Sequence, residues 1–383
     1  MKKSLIALAV LAASGASFAQ VTITGQVIAG YKQSSVSGEA GSGNEATKNK
    51  LLAGVADSFV GGSGGNATGD SSGLGLDTST ITFAASEDLG GGMKIAASMN
   101  IDKVNRKEVQ GGDTSLKLTT GIGRFTLQTY RPVDYLSAGV SGVGGAGLDD
   151  RVFSARVNRD AVGFDTKLGP VYVGVAMLEA GKSKTSTTTD VGLGVGSAGA
   201  AGTTGQRINS YSVTYVGGPL IANLNYLTYD SIGTTDAGYK DVIRTSASYD
   251  LGVVKLGGGY SVTTTAAGGT VKDALVAASV PAGSWTFGAN YGMGTVEGTT
   301  IARSAAGQAL IANGTAPAAV SATLNALGIN ADSLNGTRSG YSLTAGYALS
   351  KRTSVTASYV NWLSSPFAAT RSTEATLFLS HSF

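Results

Sequence analysis

The chain has 383 residues, with 57 glycines, no cysteine, a single histidine, only 14% charged residues and a formal charge of +3. Near-neutrality gives no support to a nucleic-acid partner, and one histidine supplies neither a Ser-His-Asp triad nor a histidine-rich metal site. Without cysteine there is no disulfide frame, and a mean hydropathy of +0.12 is too low for a bundle of membrane helices yet fits strands with one apolar and one polar face.

Residues 1–19 read as a secretory leader. Lys2 and Lys3 are the charged start, residues 5–13 the apolar core, and Ser17-Phe18-Ala19 the small residues before a cut at Gln20. From residue 20 to 383 the chain is expected to be one β-barrel domain. Alternation of period two places strands at 21–33, 78–86, 93–101, 116–120, 124–130, 160–167, 171–178 and 209–216. It places the rest at 220–229, 240–249, 253–262, 271–280, 285–291, 341–348, 353–362 and 373–383, sixteen in all. Seven short turns carry Gly, Pro, Asp and Ser, such as Asp88-Leu89-Gly90-Gly91-Gly92 and Asp250-Leu251-Gly252. They alternate with long connections at 34–77, 102–113, 131–159, 179–208, 230–239, 263–270, 292–340 and 363–372. An even number of strands with short turns on one side and long loops on the other predicts an all-β, antiparallel transmembrane barrel of the outer membrane. No helix-length apolar run follows the leader, and a closed barrel is the other way to satisfy backbone polar groups in lipid.

Aromatic placement agrees. Tyr211, Tyr215, Tyr226, Tyr249, Tyr260, Trp285, Tyr291, Tyr359 and Phe383 share the apolar parity near strand ends, as interfacial girdles require. The residues at 317–327 fit either a short helix, with Val320, Leu324 and Leu327 on one side, or a flexible Ala-rich loop. The glycine-rich stretch 142–147 matches a dinucleotide fingerprint by letters, but it sits in a long loop with no helix behind it and reads as loop. His381 is on the membrane-facing parity, and Asp149-Asp150 read as a solvated acidic patch rather than a paired acid and base. The chain is not expected to be an enzyme, and neither metal nor cofactor is expected.

Tyr347-Ala348-Leu349-Ser350-Lys351-Arg352-Thr353, followed by a strand and a His-x-Phe end, resembles the last hairpin of the general porins of β-proteobacteria. Glu87-Asp88-Leu89-Gly90-Gly91-Gly92-Met93-Lys94 is similar to that family's first periplasmic turn, and Gly121-Ile122-Gly123-Arg124 through Arg131 to its strand entering the third loop. The resemblance implies a homotrimeric, water-filled channel for passive diffusion of ions and small hydrophilic solutes, surrounded by outer-membrane lipid. It implies that the third loop folds into the lumen, and that Phe383 is a signal read by the outer-membrane assembly machinery. Candidate constriction charges are Asp134, Asp149 and Asp150 on the third loop, and Lys94, Lys117, Arg124 and Arg244 on the inward parity. Arg131, Arg151, Arg156 and Arg159 at the loop ends complete the set. Two other readings stand beside this one. One is a channel specific for sugar or phosphate, which needs inward aromatics or a basic ring, and inward aromatics are few (Tyr172, Phe378). The other is a barrel without a pore, such as an adhesin.

Overall fold

The structure is a computed structural model describing residues 20–37, 69–104, 109–130, 136–140, 148, 159–180, 205–232, 239–265, 269–297, 310, 314–327, 329, 336–363 and 371–383. Its strands are β1 (Gln20–Ser37), β2 (Gly69–Gly90), β3 (Met93–Asp102), β4 (Gln110–Thr120), β5 (Gly123–Tyr130), β6 (Arg159–Leu168), β7 (Val171–Ala180) and β8 (Gly205–Gly217). They continue as β9 (Leu220–Ile232), β10 (Tyr239–Asp250), β11 (Lys255–Thr265), β12 (Thr270–Ala282), β13 (Trp285–Glu297), β14 (Gly336–Ala348), β15 (Thr353–Leu363) and β16 (Arg371–Ser382). Each pairs antiparallel with its neighbours in the chain, and β1 pairs with β16 to close the barrel. The sixteen expected strands are all present, in the expected order.

Alternation along each strand decides which way it faces. In β13 the side chains of Trp285, Phe287, Tyr291 and Met293 are exposed, while Gly288, Asn290, Gly292 and Gly294 between them are buried. A belt of exposed apolar side chains around the whole wall is intolerable in water and is what hydrocarbon contacts. The alternate positions line the lumen. Trp285 stacks on Phe287 at 5.9 Å and meets Tyr347 at 4.8 Å, and Tyr211 stacks on Tyr226 at 6.4 Å, so aromatics of the outward face form clusters.

The seam is held where β1 meets the last residues. Gly25 and Phe383 exchange both backbone hydrogen bonds at 2.9 Å. A Cβ at Gly25 would collide with the Phe383 ring, so the absence of a side chain there is what lets the ring lie across the seam. At the short turns, carboxylates take over from the ladder: Asp88 Oδ1 accepts from Gly90 N–H and Asp250 Oδ1 from Gly252 N–H, each at 2.8 Å.

Several strands outrun their expected ends, chiefly toward the long loops. The connection expected at 34–77 contributes β1 as far as Ser37 and β2 from Gly69. Most of these added residues are Ser, Gly and Asp; Leu74 and Leu76 do face outward, but the register shift between Ile28 and Ala29 leaves Asp77 unpaired and breaks the alternation that runs from Thr78. The added residues pair through the backbone and through contacts such as Ser34 Oγ to Ser71 Oγ at 2.7 Å. Likewise β4 begins at Gln110, β13 runs to Glu297 and β14 begins at Gly336. Within the seventh connection a 3-10 turn, Pro317–Ala319, leads into α1 (Val320–Ala326), with Leu324 and Leu327 buried. The helical alternative at 317–327 is therefore the one adopted.

Candidate pore lining

Six inward charges lie on one row. Cross-strand partners run Lys94, Thr119, Arg124, Asp165, Gly174, Ser212, Asn225, Arg244, Ser261, Asp273, Gly294 and Arg338, from β3 to β14 without a break. Barrel strands tilt and stagger, so a row perpendicular to them climbs the wall. It starts beside a short turn at Lys94, second in its strand, and ends in the long-loop half at Arg338, third in its strand. Four bases and two acids stand on it. Arg124 Nε donates to Asp165 Oδ1 at 2.9 Å, and Arg338 Nη2 to Asp273 Oδ1 at 3.0 Å. The second pair is dry, with side chains 0% and 5% exposed, and Arg244 lies within electrostatic reach of the same aspartate. Gly294 stands between the partners, and a Cβ there would strike Asp273 Oδ1. Elsewhere on the wall, Lys32 Nζ meets Glu374 Oε2 at 2.6 Å.

The described residues of the third connection touch the lumen face. Leu136, Val140 and Leu148 share a buried cluster with Leu275, Ala277 and Val360, with Trp362 packed against it. Leu275 and Ala277 alternate with the exposed Val276, and Val360 follows the exposed Tyr359, so all three wall residues are on the inward parity. A Cβ at Gly257 would meet Val140 and the Ser137 carbonyl, one at Gly259 the Leu136 carbonyl, and one at Gly340 the Leu148 side chain. Small residues on the wall leave room for the loop.

Of the candidate residues, Lys94, Lys117, Arg124, Arg159 and Arg244 all fall on the inward parity. Lys94 and Arg124 lie close to the short turns, Lys117 sits between Ala96 and Thr126, and Arg159 pairs in register with Tyr130. Arg131, Asp134, Asp149, Asp150, Arg151 and Arg156 lie outside the described residues, as do the leader and the stretch 142–147. Phe383 faces outward and is 48% exposed. The list missed Asp165, Asp273 and Arg338. Parity along β6 points to Asp165. In β12 both faces carry apolar residues, which hides Asp273, and Arg338 lies in the connection expected at 292–340. The expectation of few inward aromatics needs correction: Tyr130, Tyr229, Tyr239 and Trp362 also face the lumen, at strand ends where the flanking sequence does not alternate.

Residues 5–362 match the family model described as Gram-negative porin. Outer membrane porin protein 32 of Delftia acidovorans is 29% identical over 286 residues, which cover 67% of this chain and 68% of that protein. Among solved structures, an anion-selective porin from Comamonas acidovorans superposes with a TM-score of 0.58 at 18% identity, over 95% of this chain and 100% of that one. A loop-deletion variant of an outer membrane protein of Vibrio cholerae gives 0.56 at 12% identity, over 95% and 99%. A closed sixteen-stranded barrel with an apolar outside and a charged inside, matched along nearly its whole length, leaves one conclusion: the chain belongs to the Gram-negative porin family.

Proposed function

We propose that this outer-membrane channel, which passes small solutes by passive diffusion, prefers anions. The observation that carries the reading is the climbing row, where Lys94, Arg124, Arg244 and Arg338 outnumber Asp165 and Asp273. Each acid on it is engaged by an arginine, and Arg244 adds a further positive charge beside Asp273. Unit charges at ~4 Å interact with about 4 kcal/mol at an effective dielectric near 20, so the excess suffices to bias ion entry. The similar porin from Comamonas acidovorans is described as anion-selective, which supports the same sign here.

Three further elements belong to the reading. The third connection folds into the lumen and narrows it, which the Leu136, Val140 and Leu148 contacts support. Residues 1–19 direct export, and Phe383 serves recognition by the assembly machinery. The unit is a homotrimer, an expectation that rests on the family resemblance.

Reversal potentials in planar bilayers under a KCl gradient test the charge assignment. Wild-type protein should give a potential on the chloride side of zero at low salt, shrinking at high salt as the Debye length falls below about 10 Å. Lys94→Gln with Arg244→Gln should move it toward potassium. A wild-type channel that prefers potassium would overturn the reading.

A further inference from the structure

We propose that the long-loop half of the lumen holds a site for small organic carboxylates with an apolar or aromatic body, seated between Arg159 and the ring pair Tyr229–Tyr239. The inference rests on the channel reading above and names a solute class for it.

The wall departs from its own pattern here. On the inward parity, where water and ions pass, Ala161, Leu178, Ile208, Leu227 and Val242 form a buried apolar cluster, with Tyr130 and Tyr229 packed against it. Register makes the patch continuous. Ala161, Leu178, Ile208 and Tyr229 are cross-strand partners in one row, and Leu227 faces Val242 directly beside it. The five aliphatic side chains are themselves at most 7% exposed, so the apolar surface that a solute meets is the half-buried aromatic rim of the patch, Tyr130 and Tyr229. A solute carrying apolar surface of its own gains from that rim.

The rings supply an accessible edge to that patch. Tyr229 and Tyr239 lie 5.5 Å apart between centroids, tilted by 60°, and both are half-buried rather than sealed. A tilted pair can receive a third ring edge-on or offset.

The charge lies close by. Arg159 is in register with Tyr130, and its Nη1 is buried with no hydrogen-bond partner. A buried guanidinium N–H left unmet is costly, and a planar carboxylate is the group whose geometry fits that fork. Tyr239 lies within electrostatic reach of Arg159, Arg338 and Asp273. Asp273 is held by Arg338. Asp160 alternates with the lumen residues Arg159 and Ala161 and takes the other parity. The balance at the ring pair therefore favours a monoanion whose apolar body meets the two rings.

The test uses the full chain in planar bilayers, with KCl carrying the current and benzoate or acetate added at neutral pH. Both acids are fully ionised there and differ in the ring. Benzoate should reduce the unit current with a half-blocking concentration about three- to tenfold lower than acetate, the range expected for an added aromatic pair. In Tyr229→Ser with Tyr239→Ser the ratio should fall to about one. Tyr229→Phe with Tyr239→Phe keeps the rings and should keep the ratio, and Arg159→Gln should weaken block by both acids. Equal block of the wild-type channel by the two acids overturns the site while leaving the channel reading intact. A ratio that survives the Ser pair overturns it as well. Absence of any stepwise KCl current would sink the channel reading, and this site with it.

Discussion

At the scale of single residues, the Arg338–Asp273 pair is the most constrained feature of the lumen. Both side chains are almost entirely out of water, so each charge depends on the other. Removing one partner from a buried pair costs roughly 3–5 kcal/mol, whereas removing both costs much less. Arg338→Met should therefore destabilise the barrel by about that amount, and adding Asp273→Asn should recover most of it. Urea unfolding followed by heat-dependent gel migration measures both. Equal losses for the single and double variants would mean that the pair is solvated. The residues around it could not all be read from sequence. Asp273 lies in a stretch whose two faces are Val271, Asp273, Leu275, Ala277 against Lys272, Ala274, Val276, Ala278, and neither side reads as polar. Its orientation follows from the partner strands, which bury Leu275 and expose Val276.

At the scale of the strand, alternation makes a sharper demand. Val276 in the middle of β12 is 61% exposed on the outward face, while Ser279 on the same strand faces in. Arginine on the lipid face at mid-membrane costs roughly 2–4 kcal/mol; inside, it remains in water. Val276→Arg should lose folded stability by about this margin relative to Ser279→Arg. Comparable losses would place the strand one residue out of register. Strand centres were legible because burial on one side only writes itself into the sequence every second residue. Strand ends were not. In the extension of β1 and β2 the register shift opposite Asp77 breaks the period of two, and most of the added residues are Ser and Gly, which carry little contrast between the two faces.

The whole molecule depends on closure. Phe383 extends the seam between β1 and β16, its ring against Gly25 and its backbone bonded to the same residue. It faces outward, away from the lumen. Phe383→Ala should lower the amount of folded protein recovered from the outer membrane, read by heat-modifiable migration, and leave the unit conductance of the assembled fraction unchanged. Normal recovery with altered conductance would count against an assembly role. The antiparallel ladder explains how charges far apart in sequence share one path. Lys94 and Arg338 are separated by most of the barrel, yet the ladder links them partner by partner.

The sequence by itself determined the number of strands, their order, the side that carries the short turns and the face of most residues. Each of these is a local consequence of period two and of turn chemistry. The inward orientation of four candidate charges, Lys94, Lys117, Arg124 and Arg244, was legible from that parity, whereas that of Arg159, expected at a loop end, came from its pairing with Tyr130. Only the tertiary structure decided which charges fall on one climbing row, because the register between strands is set pair by pair and no local pattern in one strand records it. The same holds for the aromatic and aliphatic patch of Tyr229, Ile208 and Val242. Its members come from three strands, and only their pairing brings them to one surface.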